Sequence, residues 1–138
     1  MSYRLTDLRT RFRDYATMLG APAEIVAFRE SPSHDGSPHV EYEGSDLCYV
    51  VTERGCEFER RRTKDPDVLL YWLISDLAFQ MASSYELRFR RANEDFRKLL
   101  FAKQIELLAA VKPQWGVRKE EELRLVLETH PYRDSTRG

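Results

Sequence analysis

His34, Asp35 and His39 are the residues whose types and spacing best suit metal chemistry, with nitrogen and oxygen donors gathered inside one short stretch. A metal site needs a fourth ligand or an open position on a rigid frame, and neither an HExxH pattern nor a cysteine pair accompanies these three. They read as part of a solvated loop, so no metal and no cofactor is expected. Nucleophilic catalysis has less support still. Cys48 and Cys56 fall on expected strands, no serine sits in a G-x-S-x-G elbow, and Gly-rich phosphate loops are absent. No catalytic residue is assigned, and nothing in the chain argues for an enzyme.

Charge supplies two further candidates. Arg60-Arg61-Arg62 with Lys64 is the best argument for a nucleic-acid contact. Strand alternation, however, sends Arg61 to the face opposite Arg60 and Arg62, and nearby glutamates offer neutralisation. A charged edge that deters strand-to-strand pairing is the simpler reading. Glu41, Glu43, Asp46, Glu53, Glu57 and Glu59 share that simple reading; their sharper reading is an acidic sheet face that docks a basic partner, with charge steering the encounter.

A third set lies farther along. Asp76, Gln80 and Ser84 stand at four-residue steps in an otherwise apolar helix and are expected to form a polar line inside the core. A buried carboxylate needs a specific donor. If the helices on either side of Ala92-Asn93 form an antiparallel hairpin, Asp76 falls level with Ala109, so its donor is expected from the strand arginines or the C-terminal segment. Glu86 and Arg90 have the favourable i,i+4 order. With Arg97, Gln104, His130 and Asp134 they make up the expected structural polar network, in which Asp134 holds the His130 ring.

These residues must be positioned by one α+β domain, because strands come first and helical periodicity then persists to the end. A helix is expected from about Ser2 to Leu19, with Leu5, Leu8, Phe12, Tyr15 and Leu19 on one face and Gly20 as its stop. Ala23 to Phe28 reads as β-rich, and Ser31 to Pro38 as a breaker-rich loop. Val40 to Glu43, Leu47 to Thr52 and Cys56 to Arg62 read as strands of an antiparallel meander of three to four strands. The hairpin turn at Glu53-Arg54-Gly55 sets Cys48 opposite Arg61 or Arg60, which leaves Cys56 on the order of 13 Å away along the ladder at ~3.4 Å per residue. That is beyond disulfide reach, so both cysteines read as free thiols.

The helical half, 65–134, opens with Asp65 as N-cap and Pro66 as N1 of a long helix reaching towards Arg91. Its first half is apolar on nearly every side, which marks a buried helix. Asn93 is expected to cap a third helix from Glu94 to Val111, ended by Pro113. Trp115-Gly116 would link it to a fourth helix from about Lys119 to His130, with Leu123, Val126, Leu127 and His130 on one face. Residues 135–138 read as a disordered tail.

At 138 residues the chain has the size of one domain. Its 42% hydrophobic and 33% charged residues are a globular balance, and net charge −1 predicts no general polyanion binding. The charged, amphipathic start lacks a secretory apolar region, and no apolar run approaches the roughly 18 residues of a membrane span. A cytoplasmic location and no membrane partner are expected.

The segments Tyr71-Trp72-Leu73-Ile74-Ser75-Asp76, Tyr85-Glu86-Leu87-Arg88 with Arg90, Asp95 through Gln104, Trp115, and His130-Pro131-Tyr132 with Asp134 are similar in order and spacing to immunity protein family 63 of bacterial polymorphic toxin systems. The likeness covers about Asp65 to Asp134. It implies a small cytosolic protein that binds a cognate toxin domain and blocks it, with no chemistry and no small-molecule ligand of its own. The strands and loops at about Glu30 to Lys64 would then meet the toxin while the helical half maintains the fold. Two rivals from other classes are a nucleic-acid-binding regulator using Arg54 and Arg60 to Arg62, and a small metal-dependent hydrolase using His34, Asp35 and His39.

Overall fold

The structure, a computed structural model, describes residues 5–134. The expected helix start at Ser2 to Arg4 and the expected tail at 135–138 lie outside those residues. Leu5–Leu19 forms α1, whose buried face is Leu8, Phe12, Ala16 and Leu19. Gly20, at φ 81°, takes the left-handed conformation that ends the helix.

Ala23 to Phe28, expected to be β-rich, instead contains a single 3-10 turn at Ala23–Ile25. The physical reason is local: Ile25 N–H and Val26 N–H donate back to the carbonyls of Pro22 and Ala23 at 3.1 and 3.2 Å, which spends the donors a ladder would need. Among the described residues the sheet therefore has three strands, β1 (Asp35–Glu43), β2 (Asp46–Glu53) and β3 (Cys56–Thr63), antiparallel in the order β1-β2-β3. The expected meander is present. β1 begins earlier than Val40, taking in residues read as loop, and its register is irregular between Asp35 and Pro38, where proline lacks a ladder donor. Arg54 and Gly55, at φ 52° and 81°, make the tight β2–β3 turn.

The β2–β3 register departs from both expected ones. Glu53 faces Cys56 and Thr52 faces Glu57, but beyond a bulge Val51 faces Glu59, so Cys48 lies opposite Arg62. One extra residue on β3 moves each later side chain to the other face. Cys48 and Cys56 are free, Cys48 buried and Cys56 exposed.

Pro66–Arg88 forms α2, with the Asp65 side chain accepting from Asp67 N–H at 2.8 Å. Leu69, Leu70, Tyr71, Leu73 and Ile74 are buried, as an all-round apolar stretch requires. The chain forms two compact units whose boundary falls within α2: one holds α1 up to Thr17 and Pro22–Ile74, the other Met18–Ala21 and the described residues from Ser75 onward.

In the second unit, α3 (Phe96–Val111) is capped by Asp95, not Asn93. Asp95 accepts from Arg97 N–H at 2.9 Å, while Asn93 occupies a left-handed position, φ 66°, within the turn. α4 runs from Pro113 to Thr129, starting six residues before the expected Lys119. Pro113 opens this helix as N1, where a missing N–H costs nothing. Gly116 is not a linker either: a Cβ there would stand 2.6 Å from Ala109 Cβ, so glycine lets α3 and α4 approach. Ala82, Leu100 and Phe101 form a core with Leu107, Leu123 and Leu127 packed against it. Val126 and His130, expected on the packed stripe, are exposed.

Candidate functional site

Cross-strand register brings charged residues of the first unit together. His39 lies opposite Val50 and Glu41 opposite Cys48 on β1–β2, while Arg60 and Arg62 lie opposite the same two residues on β2–β3. One sheet face therefore carries His39, Glu41 and Glu43 on one edge strand and Arg60 and Arg62 on the other, with Cys48 and Val50 fully buried between them. The Arg60 guanidinium spans β2: it reaches Glu41 at 3.1 Å, Glu43 at 3.5 Å and Glu57 at 2.7 Å. Arg62 pairs with Glu43 at 2.6 Å, and the buried His39 meets Glu41 through Nε2 at 2.6 Å.

These contacts set the electrostatics. The His39 hydrogen bond, then Arg60, holds the Glu41 carboxyl below its ordinary range, and Arg60 does the same for Glu57. Glu57 and Glu41 in turn raise the Arg60 guanidinium, and burial pushes the Cys48 thiol up. A bare acidic face does not form. Of the six acids singled out, Glu41, Glu43 and Glu57 enter this lattice, Asp46 pairs with Lys64 at 2.9 Å, and Glu59 pairs with Arg61. Glu53 is exposed at the β2–β3 turn, opposite Cys56, and Phe58, farther along β3, is 68% exposed.

The arginine run is divided as alternation requires. Arg61 lies on the opposite face, with its guanidinium 4.8 Å from the Tyr49 ring centroid and 5.4 Å from that of Trp72 on α2. Arg60 and Arg62 are engaged by glutamates, so the run presents no continuous phosphate-binding stripe. His34, Asp35 and His39 do not converge: His39 is buried against Glu41, and Asp35 accepts from Ser33 Oγ at 2.5 Å and Ser37 N–H at 3.0 Å, which brings its carboxyl down to about 2. Among the described residues, no group of three or more His, Cys, Asp or Glu side chains is placed to hold a metal ion.

The polar residues of the second unit form several separate contacts. Asp76 takes its donor from its own helix, Gln80 Nε2 at 2.9 Å, and from neither of the expected sources. A four-residue step on a helix suffices for that bond. Burial still raises the Asp76 carboxyl above its ordinary value. Gln80 and Ser84 are exposed, so the line runs outward from the core. Buried Glu86 takes a bidentate bond from Arg90, 2.9 and 2.7 Å, which lowers its carboxyl. Gln104 is buried and donates back to Leu100 O at 3.5 Å.

Arg97 organises the end of the chain. It binds Asp95 through Nε at 3.2 Å and Nη2 at 2.9 Å, and donates to the carbonyls of His130 and Pro131 at 2.8 Å each. Asp134 accepts from Asp95 N–H at 2.9 Å and Lys98 Nζ at 2.6 Å, and Arg133 N–H donates to Asp95 at 2.8 Å. Asp134 therefore does not hold His130, whose Nδ1 lies 2.9 Å from Thr129 Oγ1. Arg97 holds Asp95 far below the usual carboxylate range, and Lys98 lowers Asp134. Sequence patterns do not show the bonds of Asp95 to Arg133 and Asp134 or of Lys98 to Asp134, which span more than thirty residues; the capping of Arg97 N–H by Asp95 is local, and an Asp before an apolar helix is the signal for it.

No described helix is long and apolar enough to cross a membrane. A family model described as Immunity protein 63 matches residues 44–124, more than half of the chain. No curated protein and no solved structure matches it.

Proposed function

Because the chain belongs to the Immunity protein 63 family, its general role is that of an immunity protein, and we propose that it performs this role in the cytoplasm by binding a cognate toxin domain directly and blocking it. The observation that carries the reading is the family match itself, which takes in β2, β3, α2 and α3 entire. Direct binding is the mechanism that asks nothing of the chain beyond a preformed surface.

The sheet unit is the proposed contact, through Glu41, Glu43, Asp46, Glu53, Glu57 and Glu59. Two features support it. Phe58 is a large, exposed aromatic on an edge strand, the residue class that anchors interfaces when a partner removes it from water. The flanking carboxylates Glu57 and Glu59 are paired with Arg60 and Arg61, so little side-chain freedom is lost on docking. A basic toxin surface could exchange with those arginines for the same carboxylates.

Co-expression of the chain with its cognate toxin domain tests the reading. Rescue of growth and co-purification of the two proteins are expected; continued killing at matched expression would overturn neutralisation. Alanine at Glu41, Glu43, Glu57 and Glu59, and separately Phe58→Ala, should weaken the complex. Unchanged binding in both would move the contact away from the sheet.

A further inference from the structure

At the turn between α2 and α3 in the second unit, a cleft of about 500 Å³ is lined by Arg90, Arg91, Arg97 and Arg133, together with Phe96 and the left-handed Asn93. We propose that this cleft is a second docking site, which takes an acidic peptide segment of the protein partner by pairing its carboxylates with Arg91 and Arg133. The class of partner rests on the neutralisation reading; the chemistry of the cleft does not.

The four arginines differ in what they have left to give. Arg97 is largely spent, on Asp95 and two backbone carbonyls. Arg90 is held by the buried Glu86 and keeps part of its fork outward, with the side chain 57% exposed. Arg91 meets Glu94 at a long 3.3 Å and is 63% exposed. Arg133 is exposed and is tied to Asp95 through its backbone N–H, which leaves the guanidinium out of that bond. Two exposed arginines, Arg91 and Arg133, thus line a cleft in which Arg97 is fixed, and the planar guanidinium fork suits bidentate recognition of carboxylate.

Arg133 is also delivered there by construction. Arg97 grips the carbonyls of His130 and Pro131, while Asp95 and Asp134 exchange bonds with each other's segments. The residue before Asp134 is thereby seated on the rim before any ligand arrives, which lowers the ordering cost of binding. Phe96, half exposed at the same rim, offers an apolar face for an aromatic or aliphatic side chain in the bound segment.

An acidic peptide fits better than nucleic acid. Glu94 and Asp95 stand in the same lining and would repel a continuous phosphate backbone, and the whole chain carries net charge −1. A peptide can place isolated carboxylates between those acids.

The test is fluorescence anisotropy with the full chain and a short fluorescein-labelled peptide of alternating Glu and Ser, against the matching Gln and Ser peptide and a labelled oligothymidylate. The Glu peptide should bind, the Gln peptide should not, and binding should weaken as salt is raised to about 0.15 M. Arg91→Glu combined with Arg133→Glu should weaken it by about tenfold or more, whereas Arg13→Glu on α1 should leave it unchanged. Equal binding of the Glu and Gln peptides, no binding of either, or an unaltered affinity in the charge-reversal variant would overturn the proposal. Tighter binding of oligothymidylate would replace it with a nucleic-acid site. Because no toxin enters this assay, its failure is separate from a failure of rescue in the co-expression experiment.

Discussion

Replacing Gly116 with alanine should destabilise the second unit, although alanine is the better helix former. Carbon atoms pack at about 3.5–4.0 Å, yet the new methyl would stand 2.6 Å from Ala109 Cβ and 3.0 Å from Ala109 Cα. The shortfall is about 1 Å and involves the main chain of α3, so a side-chain rotation cannot relieve it. Overpacking costs about 1–3 kcal/mol, and a main-chain clash belongs in the upper half of that range. Alanine returns about 1 kcal/mol through its helix preference, leaving a net loss of about 1–2 kcal/mol. Urea unfolding followed by the fluorescence of Trp115, the neighbouring residue, measures this directly. Ala109→Gly alone should also destabilise, by about 1 kcal/mol. The double variant should lose less than the sum of the two, because it removes the closest contact. If Gly116→Ala stabilised the protein, as it would at an exposed helical site, and the double variant were additive, the close approach of α3 and α4 would be refuted.

Arg61→Ala should cost roughly 0.5–1 kcal/mol through loss of its stacking on Tyr49 and Trp72, and Trp72 emission should shift to the red; an unchanged spectrum and urea midpoint would count against the stack. Acid should weaken the second unit before it weakens anything that depends on neutral side chains. Asp95 and Asp134 have folded values depressed below an unfolded value of about 3.9, so their stabilisation is complete above about pH 5 and is lost as pH falls through those depressed values. Urea midpoints measured down that range should decline, and Asp95→Asn should flatten the decline; equal slopes for both proteins would remove Asp95 as the cause.

The elements were legible where one local signal dominated. The buried stretch of α2, its Asp65-Pro66 start and the meander follow from periodicity and turn residues alone. Errors fell where one residue type serves two purposes. Pro113 can end a helix or open one, and Gly116 can break a helix or let two helices meet; only the spacing between α3 and α4 decides. Asn93 and Asp95 are both good caps; Asp95 takes Arg97 N–H, and its further bonds to Arg133 and Asp134 come from the far end of the chain, where no local pattern shows them. The acidic residues of the sheet were visible, but their neutralisation was not. A single bulge opposite Val51 and Thr52 decides which arginines share their face, and no local pattern announces it. Asp76 needs no distant donor, since Gln80 stands one helical turn away.

The two thiols have a practical consequence. Cys48 lies fully buried beneath the Arg60 lattice with its ionisation suppressed, while Cys56 is exposed at the β2–β3 turn, two residues before Phe58. Thiolate reagents discriminate on those grounds. The native chain therefore carries its own single attachment point for a fluorophore, on the hairpin proposed to meet the toxin, and a dye there can report arrival of a partner without any engineered residue.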